Sequence, residues 1–429
     1  MKVTEKKLED GRVLLEAVAA TAEVSQALTT AQYNFLAQMG VAPVEGKTPQ
    51  QLAQEQLGVK DLDAIVTKQA EEYLVPFAID KRNLVPAYPP KVISTEPLKR
   101  GQTYSFSLRV ALKPDYELSS YDPVSITVPP FTFDESEVDR QMAQLADSFA
   151  TFEPCEAHPL AASDDAALIA IDATMGGETL KNLCTPGRTY VMGMQLMPPD
   201  FEQNLVGMTA GETKEFDFTF PGADAADEKA RVHCSVTVKE LQRKTVAEID
   251  DEWVAKNMPL FRDAASMRAG MREQIMNGAR ASYNELLQAA AAQELSKRFQ
   301  GRIADEVYES MRTSLMENLR AQLQQQNIPF DQYVQSQGGE QQFGMLMMMQ
   351  TREMLVQGYS LDAVFRHEKL EITDDDLTAA AATMNPQNPT AARRDLEGNG
   401  RGFALREMAE RMVANKFILD HATITEQAD

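Results

Sequence analysis

The stretch MPPDFEQNLVGMTAGETKEFDFTFPG, Met197 to Gly222, places a short helix or loop, a tight turn and a strand in immediate succession. Pro198 and Pro199 open it, since a proline ring pre-sets φ and loses nothing in a first helical turn. Gly207 and Gly211 supply the backbone freedom of a turn. Phe216, Phe218 and Phe220 then alternate on one strand face, with Glu215, Asp217 and Thr219 on the other. Pro221-Gly222 ends the strand. Two more strands flank this one: Leu168 to Ile171, and Arg231 to Leu241 with Val232, Cys234, Val236 and Val238 on one face. Residues 153–243 therefore read as a compact β-sheet wrapped on a short helix.

Other patterns lie on either side. Residues 1–118 mix the two periods. Val13 begins a strand-like run, and a helical pattern follows to about Met39. Thr48 and Gln51 have capping-box spacing around Pro49, which predicts a helix start. A second helix is predicted from about Asp61 to Tyr73. Phe106, Leu108 and Val110 alternate in a strand. Residues 119–152 form a connector: an extended run to Pro129-Pro130, then a helix with Asp134 and Glu137 at capping spacing. Its stripe of Val138, Met142, Leu145 and Phe149 needs a partner. Residues 244–429 are almost wholly helical. There Ile303, Val307, Met311, Leu315, Leu319 and Leu323 recur at helix spacing, and the segment carries 14 of the 22 Met.

Composition narrows the function. No run approaches the roughly 18 apolar residues of a membrane helix, and acids interrupt the N-terminus, so a cytoplasmic protein without a membrane partner is expected. Cys155, Cys184 and Cys234 are widely spaced, and His158, His233, His367 and His421 are scattered, so no metal site is expected. Walker A and GxSxG motifs are missing, and no cofactor is expected. The net charge of −22 argues against general nucleic-acid binding. Residues 1–120, with 14 basic and 15 acidic side chains, are nearly neutral, so this module alone can approach a polyanion.

With these residues in view, the chain resembles the trigger factor family of bacterial ribosome-associated chaperones. The stretch 197–221 is similar to FKBP-like isomerase domains, PDYELSSYDPVSI with DESEVDRQMAQL to the family's inter-domain join, and IADEVYESMRTSLMENLRAQLQQQNIPFDQYV to its arm helix. The resemblance implies a multidomain α+β fold: an α+β ribosome-binding domain (1–118), the connector (119–152) packing on the C-terminal domain, an FKBP-like isomerase domain (153–243) and an all-α chaperone domain (244–429). GKTP, residues 46–49, matches the end of the family's docking loop, Gly-Phe-Arg-x-Gly-Lys-x-Pro. Here the Phe and Arg positions hold Pro43 and Val44, and Glu45 repels phosphate. Losing the Arg fork is not conservative, so docking is expected to be weaker or more salt-sensitive, resting on Gly46, Lys47 and Pro49.

Prolyl isomerisation depends on an apolar, mostly aromatic pocket that favours the twisted amide. The family pattern has aromatic residues where this chain has Ala173, Leu180 and Cys234, and its Ile-Pro-Gly entry becomes Pro198-Pro199-Asp200. A Tyr past Phe-Pro has no counterpart in Gly222-Ala223-Asp224. Asp172, Leu180, Met197, Pro198 and Phe201 are the pocket remnant, so activity is expected to be weak or absent. No catalytic residue is assigned. The resemblance implies the large ribosomal subunit near the tunnel exit, and nascent and unfolded polypeptides, as partners, with a homodimer in the free state. Met311, Leu315, Met316, Met345, Met348 and Met349 are the expected client-binding residues, because Met suits surfaces that fit many partners. Two alternatives stay open: an active isomerase, or a chaperone that no longer docks on ribosomes.

Overall fold

In the computed structural model the chain is described throughout except for residues 95, 157, 162–164, 195, 220–230, 327 and 428–429. Phe220, Pro221, Gly222, Ala223 and Asp224 lie outside the described residues. The fold is mixed α+β, in two compact units: Met1–Pro130 with Tyr283–Asp429, and Phe131–Ser282.

The first unit begins with β1 (Lys2–Lys7), β2 (Val13–Ala19), α1 (Thr21–Gln38), α2 (Pro49–Leu57), α3 (Leu62–Asp80), β3 (Val92–Ile93) and β4 (Tyr104–Val110). The strands form an antiparallel sheet in the order β1-β2-β4-β3. The pairing Leu15↔Leu108 and Ala17↔Phe106 aligns the alternating apolar positions on one face. These join one core with Val24, Leu28 and Leu36 of α1 and Val66, Ala70 and Leu74 of α3. The capping box forms as the spacing predicts: Thr48 accepts from the Gln51 N–H and its own N–H donates to the Gln51 side chain. The helix from Asp61 does not stop at Tyr73. It runs through Pro76 to Asp80 because Leu74, Val75, Ala78 and Ile79 prolong the buried face, and their burial outweighs the one backbone bond proline removes. Next come β5 (Glu117–Leu118) and β6 (Ser125–Val128).

The second unit opens with α4 (Ser136–Ser148), one residue later than capping by Asp134 implies. Asp134 instead accepts from the Ser136 N–H at 2.9 Å, and the helix carries no capping box. Of its expected stripe Val138 is fully buried, while Phe149 is exposed and meets Trp253 edge-on. Strands β7 (Thr151–Pro154), β8 (Asp165–Met175), β9 (Glu178–Thr179) and β10 (Thr185–Val191) follow, then α5 (Pro199–Leu205), β11 (Thr213–Thr219) and β12 (Arg231–Thr245). The sheet order is β10-β8-β12-β11, with β7 on β12 and β9 on β8. Phe201 and Leu205 of α5 pack on Ile169, Ile171, Phe218 and Val236. Helix α6 (Asp251–Asn257), capped by the Asp250 carboxylate, leads to α7 (Ala264–Ser296), inside which the division between units falls. Within the second unit, Arg272 and Arg268 of α7 pair with Glu135 and Asp139.

The first unit resumes with β13 (Phe299–Gln300), α8 (Asp305–Gln325), α9 (Phe330–Ser336), α10 (Gly339–His367), α11 (Asp374–Ala382), α12 (Pro389–Gly398), α13 (Gly402–His421) and β14 (Thr423–Glu426). Leu118, Val124, Ile126 and Val128 lie in the helical core beside Leu361, Val364, Ala414 and Ile418. Strand β14 pairs in parallel with β6, Thr423 to Glu426 against Ser125 to Val128. Among the described residues no helix is long and apolar enough to cross a membrane.

Candidate functional site

Residues 343–349 of α10 read FGMLMMM. Phe343 and Met347, four apart and so on one helix face, enter a small core with Val334, flanked by Leu315, Met316, Leu319 and Phe330. The rings of Phe330 and Tyr333 meet Phe343 edge-on at 5.9 and 6.2 Å. Turning that face inward turns the other outward. Met345, Met348 and Met349 are 65%, 64% and 66% exposed, against 6% for Met347. Leu346 and Met354, which sequence reasoning did not select, are exposed beside them. Of the client-binding residues expected from sequence, these three lie free on the surface. Leu315 and Met316 instead help hold α8 and α9 against α10.

Met311 occupies a different place. It lines a groove of about 1100 Å³ within the first unit, between α3, the Pro86–Val92 segment, α8, α10 and α13. Val75, Pro76 and Ile79, then Tyr88, Pro89 and Pro90, and finally Val307, Leu355 and Tyr359 supply an apolar lining. Such a mostly apolar concavity with a few charges is the usual form of a binding site. The charges form a connected group. Lys113 lies 2.5 Å from Asp362 and 2.6 Å from Glu407, and Arg411 reaches both acids, Glu407 at 2.8 Å. Burial and the neighbouring Tyr116 ring push the Tyr359 phenol well above its ordinary range. This group ties the chain after β4 to α10 and α13, and sequence reasoning missed it. The available signal was Asp362, a lone acid in the apolar run SLDAVF.

Gly46, Lys47 and Pro49 sit together at the turn before α2. Gly46 has φ +79° in open space, and Pro49 is buried as the first residue of α2. Lys47 is exposed and paired with Glu55. Ala42, Pro43, Val44 and Glu45 are all exposed.

In the second unit, Met197, Pro198 and Phe201 are buried and Leu180 is half-buried. Asp172 is exposed, because alternation along β8 sends Ile171 and Ala173 inward and Asp172 outward. Phe201 is fully enclosed, its ring centroid 5.5 Å from each of Tyr190, Phe216 and Phe218. The Tyr190 hydroxyl donates to Glu202 at 2.8 Å. Cys184 approaches the Ala173 N–H at 3.2 Å, and Cys234, opposite Ala173 on β12, has its thiol pushed up to about 12 by burial. The side chains of Cys184 and Cys234 thus pack beside Ala173. Among the described residues no group of three or more His, Cys, Asp or Glu is placed to hold a metal ion.

Two family models match this chain. The model described as bacterial trigger factor protein covers residues 1–145, and that for the bacterial trigger factor protein C-terminus covers residues 263–419. The curated trigger factor of Pelotomaculum thermopropionicum is 26% identical, with 100% of this chain and 99% of that one aligned. That of Lysinibacillus sphaericus is 26% identical over 97% of both. A solved structure of the trigger factor chaperone aligns over 98% of each chain with 18% identity and a TM-score of 0.43.

Proposed function

Because the chain belongs to the trigger factor family, we propose that it is an ATP-independent chaperone of the cytoplasm that holds newly made and unfolded polypeptides. The observation that carries this reading is the outward set of Met345, Met348 and Met349, in the same unit as the apolar groove lined by Met311. An unfolded segment meets many feeble contacts there, each of a size set by the apolar area covered. Release then needs no nucleotide. Unbranched thioether side chains adjust to clients of different shape.

The turn carrying Gly46, Lys47 and Pro49 would dock at the large ribosomal subunit near the tunnel exit. Without an Arg fork the contact rests on one ammonium, so salt weakens it strongly. The middle domain serves as a scaffold whose isomerase pocket is eroded. Supporting this, Phe201 has its ring covered on several sides, leaving no face for a prolyl substrate. Pairing of the free chain with a second copy would cover the same exposed methionines.

Suppression of aggregation of a denatured client tests the reading. The native chain should keep the client in solution without nucleotide, and failure while it remains folded would end the proposal. A proline-limited refolding assay separates the competing activity: acceleration at catalytic stoichiometry would make the middle domain an enzyme.

A further inference from the structure

Four exposed positions on α10 carry sulfur, and three of them, Met345, Met348 and Met349, fall within five consecutive residues. We propose that Met345, Met348 and Met349 form a binding site for a soft monovalent cation of the Cu(I) and Ag(I) class. Thioethers are soft ligands that select such ions over harder divalent ones. Positions three and four apart on a helix bring Cβ atoms to about 5–6 Å, and Met345 has that spacing to both Met348 and Met349, which are neighbours in the chain. Each side chain is unbranched and flexible, so three sulfurs converge on one ion above the helix surface without backbone movement. Met347 is excluded, since its 6% exposure keeps its sulfur in the packed core. Around the site, Glu353 lies one turn beyond Met349 and Arg352 one turn beyond Met348, both exposed, so the two charges offset. The competing soft ligands, Cys155, Cys184 and Cys234, belong to the other unit.

The test is titration of the full chain, pretreated with N-ethylmaleimide, with silver nitrate in chloride-free buffer, read by NMR of [methyl-13C]methionine. The methyl signals of Met345, Met348 and Met349 should shift together and saturate at one equivalent. Met39 and Met384, also exposed but with no methionine within four residues, should stay unmoved at that point. Met348→Leu should lower the affinity at least about tenfold and abolish the concerted shift. Equal movement of Met384, or unchanged affinity in Met348→Leu, overturns the site. Client holding is assayed on the native chain without silver, so failure of the metal site is distinguishable from failure of the chaperone reading.

Discussion

Arg411 grips Asp362 with two parallel hydrogen bonds, Nε to Oδ1 at 2.9 Å and Nη2 to Oδ2 at 3.0 Å, with Asp362 only 6% exposed. The pair stands beside Lys113 and Glu407 where α10 meets α13. Removing one partner of a buried pair leaves a charge without its counterion. Arg411→Ala should cost about 3 kcal/mol, read as a lower urea midpoint in far-UV circular dichroism. Arg411→Lys should recover part of it, because the charge returns without the fork.

Gly400 has φ +69°, and a Cβ there would stand 2.7 Å from the Phe77 backbone nitrogen. Gly46 has φ +79° with nothing within 4 Å. Gly46→Ala therefore carries only the left-handed strain, about 1 kcal/mol. Gly400→Ala adds a clash with backbone that cannot rotate away. It should destabilise by several times as much, seen as faster amide exchange in α3.

Replacing Met345, Met348 and Met349 together by Gln should weaken client holding several-fold while thermal stability stays within about 0.5 kcal/mol. Met347→Ala should do the reverse, costing about 2–4 kcal/mol with the exposed face intact. A stability loss in the triple variant would mean these side chains are packing residues after all.

The pairing of Lys47 with Glu55 sets a sign for docking. Lys47→Ala should reduce co-sedimentation with ribosomes at low salt. Glu55→Gln, which frees the ammonium, should raise it and make it persist to higher salt. Identical behaviour of both variants and the native chain would remove this turn from the contact.

Burial raises the Glu410 carboxyl above its ordinary range, opposed by Lys113 and reinforced by Asp362 and Glu407. A raised acid binds its proton more tightly folded than unfolded. Its ionised form therefore costs stability above the folded pKa, and the cost disappears as pH falls below the unfolded value of about 4.3. Glu410→Gln should raise the melting temperature at pH 7 and confer no gain near pH 4.

Much of the architecture could be read along the chain. The Thr48 capping box, the alternation in TYSFSLRVAL and the strand holding Phe216 and Phe218 are local signals, and local geometry obeys them. The end of α3 was not legible: Pro76 is a local stop signal, and only the shared core beneath the sheet overrides it. The start of α4 departs by a single residue, with the Asp134 carboxylate accepting from the Ser136 N–H.

Sequence by itself determined the order of helices and strands and the presence of a methionine-rich helical region, because periodicity is a property of neighbours. It could not tell Met348 from Met347, or Met311 from Met316, since each pair differs only in which way a helix is turned. That turn is decided by Phe343 seeking Phe330 and Val334. The groove likewise exists only where residues 75–90 meet residues 307–411, brought together by burial across more than two hundred intervening positions.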